Sequence, residues 1–147
     1  SGSVVSNCSA YLNIGNGISV FSGSKVADCI ARSNTIDGIR CTSACVISGN
    51  ACSGNGLNAG DGAGIRATGN DNRVEGNNCS QAERGIEMNS TGNIIIRNTC
   101  SGNGTNWVIA AGNAYGPIVD TPAGAAVNGN TAAAALGSTD ANANFSY

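Results

Sequence analysis

Five cysteines recur along the chain at a near-constant interval: Cys8, Cys29, Cys52, Cys79 and Cys100 are separated by 21, 23, 27 and 21 residues. A second marker keeps step with them. Gly17-Ile18-Ser19-Val20, Gly38-Ile39-Arg40-Cys41, Gly64-Ile65-Arg66-Ala67 and Gly85-Ile86-Glu87-Met88 are followed by Trp107-Val108-Ile109-Ala110, in steps of 21, 26, 21 and 22 counted from Ile18 to Val108. A third apolar element precedes each cysteine: Val4-Val5, Val26, Val46-Ile47, Val74 and Ile94-Ile95-Ile96. Markers sharing one period define a repeat architecture, in which each unit buries its apolar face only against its neighbours.

Each unit reads as short strand, turn, short strand, turn. Apolar and polar residues alternate in Gly-Ile-x-Val and its relatives, as a strand with one buried face requires. Between the strands stand Gly, Asn and Ser, which suit corners with positive φ. A leucine-rich repeat has a similar period, but the chain has only Leu12, Leu57 and Leu136. The expected fold is therefore all-β, a right-handed parallel β-helix or solenoid of about five coils, roughly 24 Å long at one strand spacing per coil. Its handedness follows the general rule for parallel crossovers. The expected internal columns are the five cysteines, Ile18 to Val108, and Val20, Cys41, Ala67, Met88 and Ala110. The loop Asn58-Ala59-Gly60-Asp61-Gly62 absorbs the longer steps by bulging outward. The coils are expected over residues 1–113, and residues 114–147 form a last partial coil and an irregular Ala/Gly-rich C-terminal tail.

Composition sets limits on function. Six of the 147 residues are aromatic, so the core is built from small side chains. Seven basic against nine acidic residues, scattered, give a net charge of −2 and no nucleic-acid footprint. No apolar run reaches the roughly 18 residues of a membrane span. The chain has no histidine, the commonest general base and metal ligand.

The segments Cys41-Thr-Ser-Ala-Cys45-Val-Ile-Ser-Gly-Asn-Ala-Cys52, Asn72-Arg-Val-Glu-Gly-Asn-Asn-Cys79, Arg84-Gly-Ile86, Asn93-Ile-Ile-Ile-Arg-Asn98, Ala110-Ala-Gly-Asn113 and Ala143-Asn-Phe-Ser-Tyr147 resemble the C-terminal part of secreted bacterial right-handed parallel β-helix repeat proteins. The resemblance covers nearly the whole chain and implies a secreted, extracellular or cell-surface bacterial protein. Such proteins are similar in architecture to pectate lyases and NosD-like repeat proteins, but a shared fold does not transfer chemistry.

Stacked cysteines on adjacent parallel strands point the same way, which suits a disulfide poorly, so the column Cys8, Cys29, Cys52, Cys79, Cys100 is expected as a ladder of buried thiols. Cys41 and Cys45 lie off it and could form a local bridge. One outward column carries Ser19, Arg40, Arg66, Glu87 and Ile109, where Arg66 and Glu87 are expected as a surface ion pair. Asp61 and Asp71 offer too few oxygens for calcium. No catalytic residue, metal or cofactor is expected.

The function expected from these features is structural: a non-catalytic, extracellular, self-assembling subunit of a filament, tube or surface layer. The chain would partner itself through open coil ends, with Val4, Val5, Phe145 and Tyr147 as assembly anchors and the tail docking on a neighbour. Polysaccharide or surface binding through Trp107, Tyr115 and Tyr11 is the alternative, and a polysaccharide lyase or hydrolase stands third.

Overall fold

The computed structural model describes residues 2–57, 60–121, 136 and 138–147. Among them the chain forms eighteen strands and no helix. The first coil contains β1 (Val4–Ser6), β2 (Ser9–Tyr11) and β3 (Ile18–Val20). The second contains β4 (Lys25–Ala27), β5 (Ile30–Arg32) and β6 (Ile39–Cys41), and the third β7 (Val46–Ser48), β8 (Ala51–Ser53) and β9 (Ala63–Ala67). The fourth contains β10 (Arg73–Glu75), β11 (Asn78–Ser80) and β12 (Arg84–Met88), and the fifth β13 (Ile94–Ile96), β14 (Thr99–Ser101) and β15 (Thr105–Ile109). Beyond these lie β16 (Ala114–Tyr115), β17 (Ile118–Asp120) and β18 (Asn144–Ser146). Three sheets run along the rod: sheet A is β1-β4-β7-β10-β13-β16, sheet B is β2-β5-β8-β11-β14-β18-β17, and sheet C is β3-β6-β9-β12-β15. All neighbouring pairs are parallel. The architecture is a parallel β-helix.

Parallel stacking places like on like. Val26, Ile47, Val74 and Ile95 line the inside of sheet A, and Ile39, Ile65 and Ile86 the inside of sheet C, all with no exposed surface. Burying each stabilises the fold by about 1.5–3 kcal/mol. The glycine before each Ile is required by backbone approach: a Cβ on Gly38 would stand 2.6 Å from the Gly64 carbonyl oxygen, and one on Gly64 2.8 Å from that of Gly85.

The corners are held by three columns of side-chain hydrogen bonds. In the first, Ser24 Oγ accepts the Ser3 N–H (3.1 Å), Asn72 Oδ1 the Cys45 N–H (2.9 Å), Asn93 Oδ1 the Asn72 N–H (2.8 Å) and Asn113 Oδ1 the Asn93 N–H (2.9 Å). The second runs from Cys8 through Cys29, Asn50, Asn77 and Asn98 to Asn144, each side chain accepting the backbone N–H of the coil before it. The third joins Asn13, Asn34 and Asn55 and resumes from Ala82 to Asn103. Buried backbone donors at the bends, which no strand ladder reaches, are thereby satisfied.

Positive φ falls on the residue before the corner rather than on the corner residue itself: Asn7, Leu12, Asp28, Ser33, Ala44, Asp71, Gln81 and Arg97 adopt it, as do Gly49, Gly54, Gly76, Gly92, Gly102 and Gly112. A non-glycine residue there costs about 1–2 kcal/mol, and the corner bonds offset that cost.

Three expectations are corrected. The five cysteines do not form one ladder. Cys52, Cys79 and Cys100 stack inside sheet B, where Ala10 and Ala31 hold the equivalent places in β2 and β5, whereas Cys8 and Cys29 stand in the second corner column. The small, weakly accepting thiol fits both environments. The last coil is one residue out from the expected register. Trp107, Val108 and Ile109 pair with Ile86, Glu87 and Met88, so Trp107 takes the Ile place and packs against the core, Val108 takes the outward place, and Ile109 rather than Ala110 follows Met88. The C-terminal segment is an anchor on the chain's own rod: β18 lies between β14 and β17, with Phe145 half-buried there and Tyr147 exposed beyond it. Asn144 brings it there by continuing the second corner column, its Nδ2 donating to the Ile95 and Gly116 carbonyls (3.2 and 3.1 Å). Most of the Ala/Gly-rich tail, and Asn58 and Ala59 of the expected bulge, lie outside the described residues.

Candidate functional site

The densest chemistry lies on the outer face of sheet C. Register sets Arg40, Arg66 and Glu87 in one outward column, and Asp37, just before the Gly38-Ile39 marker, turns in beneath it. Arg66 Nε lies 2.8 Å from Glu87 Oε2 and 3.3 Å from Asp37 Oδ1, off the line of its N–H, so these contacts are ion pairs without a formed hydrogen bond. Asp61 bridges Arg66 and Arg84 through Oδ1, and Arg84 Nη1 reaches Glu87 at 3.3 Å. Glu83 Oε2 accepts the Gly62 N–H (3.1 Å), pinning the backbone just before β9.

Arg66 and Glu87 were expected at the surface. Their side chains are instead 8% and 9% exposed, because Asp61 and Arg84 fold over them. Asp37 is fully enclosed: Oδ1 accepts the Ala63 N–H (3.0 Å) and Oδ2 has no hydrogen-bond partner. Burial pushes the Asp37 carboxyl above its ordinary pKa against the opposing pull of Arg66. The hydrogen bond from Arg84 holds exposed Asp61 below its ordinary range. Three carboxylates, Asp37, Asp61 and Glu87, thus meet three guanidiniums, Arg40, Arg66 and Arg84, and each of the three carboxylates faces a cation. Asp37 and Arg84 escaped sequence reasoning. With the coils aligned, the carboxylate beside a Gly-Ile marker was the available signal.

The cysteines hold no bridge: all seven are free thiols, and six are buried. Cys41 and Cys45, the pair that could have formed a local bridge, are both free thiols although their side chains are neighbours: Cys41 faces inward from β6 and Cys45 stands in the first corner column with its Sγ toward the carbonyls of Phe21 and Ser43 (3.3 Å each). Burial and the neighbouring Cys45 push the Cys41 thiol up to about 12. The stacked thiols of Cys100 and Cys52, then burial, raise Cys79 as well. Among the described residues no three His, Cys, Asp or Glu side chains converge as metal ligands, and no helix is long and apolar enough to cross a membrane.

The second feature is the face of the first coil. β1, β2 and β3 are the end strands of all three sheets, with no neighbour on their outer edges among the described residues. Val4, Tyr11, Leu12, Ile14 and Phe21 are exposed around this face, and Val5 and Ala10 only half-covered. Of the expected anchors, Val4 and Val5 sit here. The aromatic residues offered for sugar stacking do not gather: Trp107 is half-buried against the core, Tyr11 lies at the first coil beside the Arg32 guanidinium (6.0 Å), and Tyr115 is on β16. A separate open cleft of about 760 Å³ runs along the corner between sheets B and C, lined by Arg32, Ser33, Ser53, Leu57, Gln81 and Glu83 among others.

Compared with protein-family models, with curated proteins and with solved structures, the chain gives no match in any of the three.

Proposed function

We propose that the protein is a non-catalytic structural β-helix that self-associates through the face of its first coil, as a subunit of a bacterial extracellular or cell-surface assembly. One observation carries this reading: three strand edges that are unpaired among the described residues, framed by exposed apolar residues, lie on a stretch without a single charge. Residues 1–24 contain no Asp, Glu, Lys or Arg, and the first charged side chain is Lys25. Unpaired edges template further strands, and the centre of an interface is where charge is depleted. The charge cluster supports the non-catalytic part, because its acids Asp37, Asp61 and Glu87 are each paired with its own arginines. The extracellular bacterial setting rests on the sequence resemblance.

Light scattering and electron microscopy over a range of concentrations test the reading. The mass is expected to rise above that of the monomer with concentration, and Ala10→Asp, which sets a charge in the centre of the face, is expected to abolish the rise. A wild-type chain that stays monomeric throughout refutes it. The cleft beside Arg32 and Glu83 supports polysaccharide binding as a second reading, and retention on a glycan array that survives Ala10→Asp would favour it.

A further inference from the structure

In four places the chain sets a glycine directly after an asparagine: Asn16-Gly17, Asn55-Gly56, Asn103-Gly104 and Asn128-Gly129. The first three stand at the bends between sheets B and C, and the fourth lies outside the described residues. Such a pair is chemically labile. The glycine nitrogen, with no Cβ beside it, gives up its proton and attacks the asparagine Cγ. A C–N bond forms, a succinimide ring closes and the amide leaves as ammonia. Water then opens the ring at either carbonyl to leave aspartate or isoaspartate, so nitrogen is exchanged for oxygen and nothing is oxidised or reduced.

Packing demands the glycine. A Cβ on Gly56 would stand 2.4 Å from Gly62 Cα, and one on Gly104 2.8 Å from the Glu83 carbonyl oxygen. Stacking demands the asparagine, because Asn55 and Asn103 are members of the third corner column. The fold therefore needs, at these corners, the pair that water destroys.

The same stack restrains both reacting atoms. The N–H groups of Gly17, Gly56 and Gly104 donate to the carbonyls of Asp37 (2.8 Å), Asn34 (3.0 Å) and Ala82 (3.0 Å) in the adjoining coil. On the amide side, Asn16 Oδ1 accepts the Asp37 N–H (3.1 Å). Asn55 Oδ1 accepts the Asn34 N–H (3.1 Å), and its Nδ2 donates to the Ala31 carbonyl (2.8 Å). Asn103 Oδ1 accepts the Ala82 N–H (2.9 Å), and its Nδ2 donates to the Cys79 carbonyl (3.0 Å). Nitrogen and Cγ are thus fixed by partners a coil away, and the attack requires both to let go.

We infer that Asn16, Asn55 and Asn103 are latent deamidation sites, guarded while the coils are stacked and released when a coil unwinds, so that unwinding becomes irreversible with time. Water is the only co-reactant. Aspartate at position 55 lacks the donor to the Ala31 carbonyl and sets a charge where the chain has no exposed surface, which is strongly unfavourable. Isoaspartate lengthens the backbone at a corner whose place the neighbouring coil fixes. Persistence of the rod is then a rate, set by how often its coils open.

The wild-type chain, held at mildly alkaline pH either folded in buffer or unfolded in guanidinium chloride, tests this when the peptides carrying each Asn-Gly pair are weighed after digestion. Peptides with Asn16, Asn55 and Asn103 are expected to gain the mass difference between an amide and an acid in the unfolded sample, with isoaspartate detected by enzymatic methylation. In the folded sample the gain should be slower by at least about tenfold, a modest demand on a fold whose coils open only rarely. A smaller ratio overturns the guarding, and no gain in the unfolded sample overturns the lability. Asn55→Asp, which carries one product of the reaction, is expected to unfold at a lower urea concentration than the wild type or not to fold at all. A midpoint equal to that of the wild type overturns the irreversibility.

Discussion

Replacing Asn77 by alanine should cost this fold more than any change of equal size on its surface. Asn77 is 1% exposed. Its Oδ1 accepts the backbone N–H and the Nδ2 of Asn50, both at 2.9 Å, and its Nδ2 donates to the Ile47 carbonyl and to Asn98 Oδ1, both at 3.0 Å. Four bonds at a net value of about 1 kcal/mol each suggest a loss near 4 kcal/mol, and the Asn50 N–H left buried without an acceptor adds about 1–3 kcal/mol. Relaxation of the corner returns part of this, so a loss of about 4 kcal/mol is expected, a large share of the roughly 5–15 kcal/mol that holds a domain together. Urea unfolding followed by far-ultraviolet circular dichroism measures it. Asn77→Cys should lose about half as much, because a thiol at the same corner, Cys29, still accepts a backbone N–H, from Cys8 at 3.4 Å. The neighbouring Asn78→Ala, which removes one exposed side-chain bond, should stay within about 0.5 kcal/mol. If Asn77→Ala costs no more than Asn78→Ala, the corner columns do not hold the coils together.

The third column is broken at Ala82, and Ala82→Asn, with the open cleft beside it giving room, should raise stability by about 1 kcal/mol in the same assay. Arg66→Met leaves the enclosed Asp37 and Glu87 without their shared cation and should cost about 3 kcal/mol at neutral pH. Because the Asp37 pKa is raised in the folded state, the deficit should narrow as the pH falls through that pKa and the folded chain gains a proton. Cys41 titrates near its ordinary value of 9 when unfolded and at about 12 when folded, so its contribution is full below pH 9 and is lost as the pH rises toward 12. Alkaline unfolding curves should show about 1 kcal/mol lost from this thiol by pH 10, and Cys41→Val, which matches Val20 in the same column, should not show that loss.

Much of the fold was legible because a solenoid writes its period into the chain. Two markers in step, Gly-Ile and the apolar pair before each cysteine, were enough to define the coil and two of its inner walls. Errors arose where one residue type serves two places. Cysteine fills the interior of sheet B at Cys52 and a corner at Cys29, and the step of 23 residues between them, two more than the 21 from Cys8 to Cys29, already contained the shift from corner to wall. The step of 22 from Ile86 to Val108 similarly recorded a slip of one, since Trp107 was not expected to stand in an isoleucine column. The asparagines were read as residues for tight bends, while their work as stacked amides depends on partners a full coil away, which local propensity does not show. Asp37 was hidden for a related reason: a carboxylate looks like surface until the register places it at an enclosed position.

The place of β18 bears on the order in which the chain is made. Through β15 each strand can settle on a coil already completed, so a chain emerging from the ribosome can wind the rod from its first coil onward with contacts of short reach. β17 breaks this rule, because its neighbour in sheet B is β18, which is translated after it. The upper edge of β14 must therefore stay open until Asn144–Ser146 has been synthesised and has returned to fill the gap. That return closes a loop longer than a regular corner connection, and its entropy grows only slowly with length. During this interval Cys100, the last thiol of the stack, lacks its cover, which makes its reactivity toward a thiol reagent during synthesis a clock for the final step of folding.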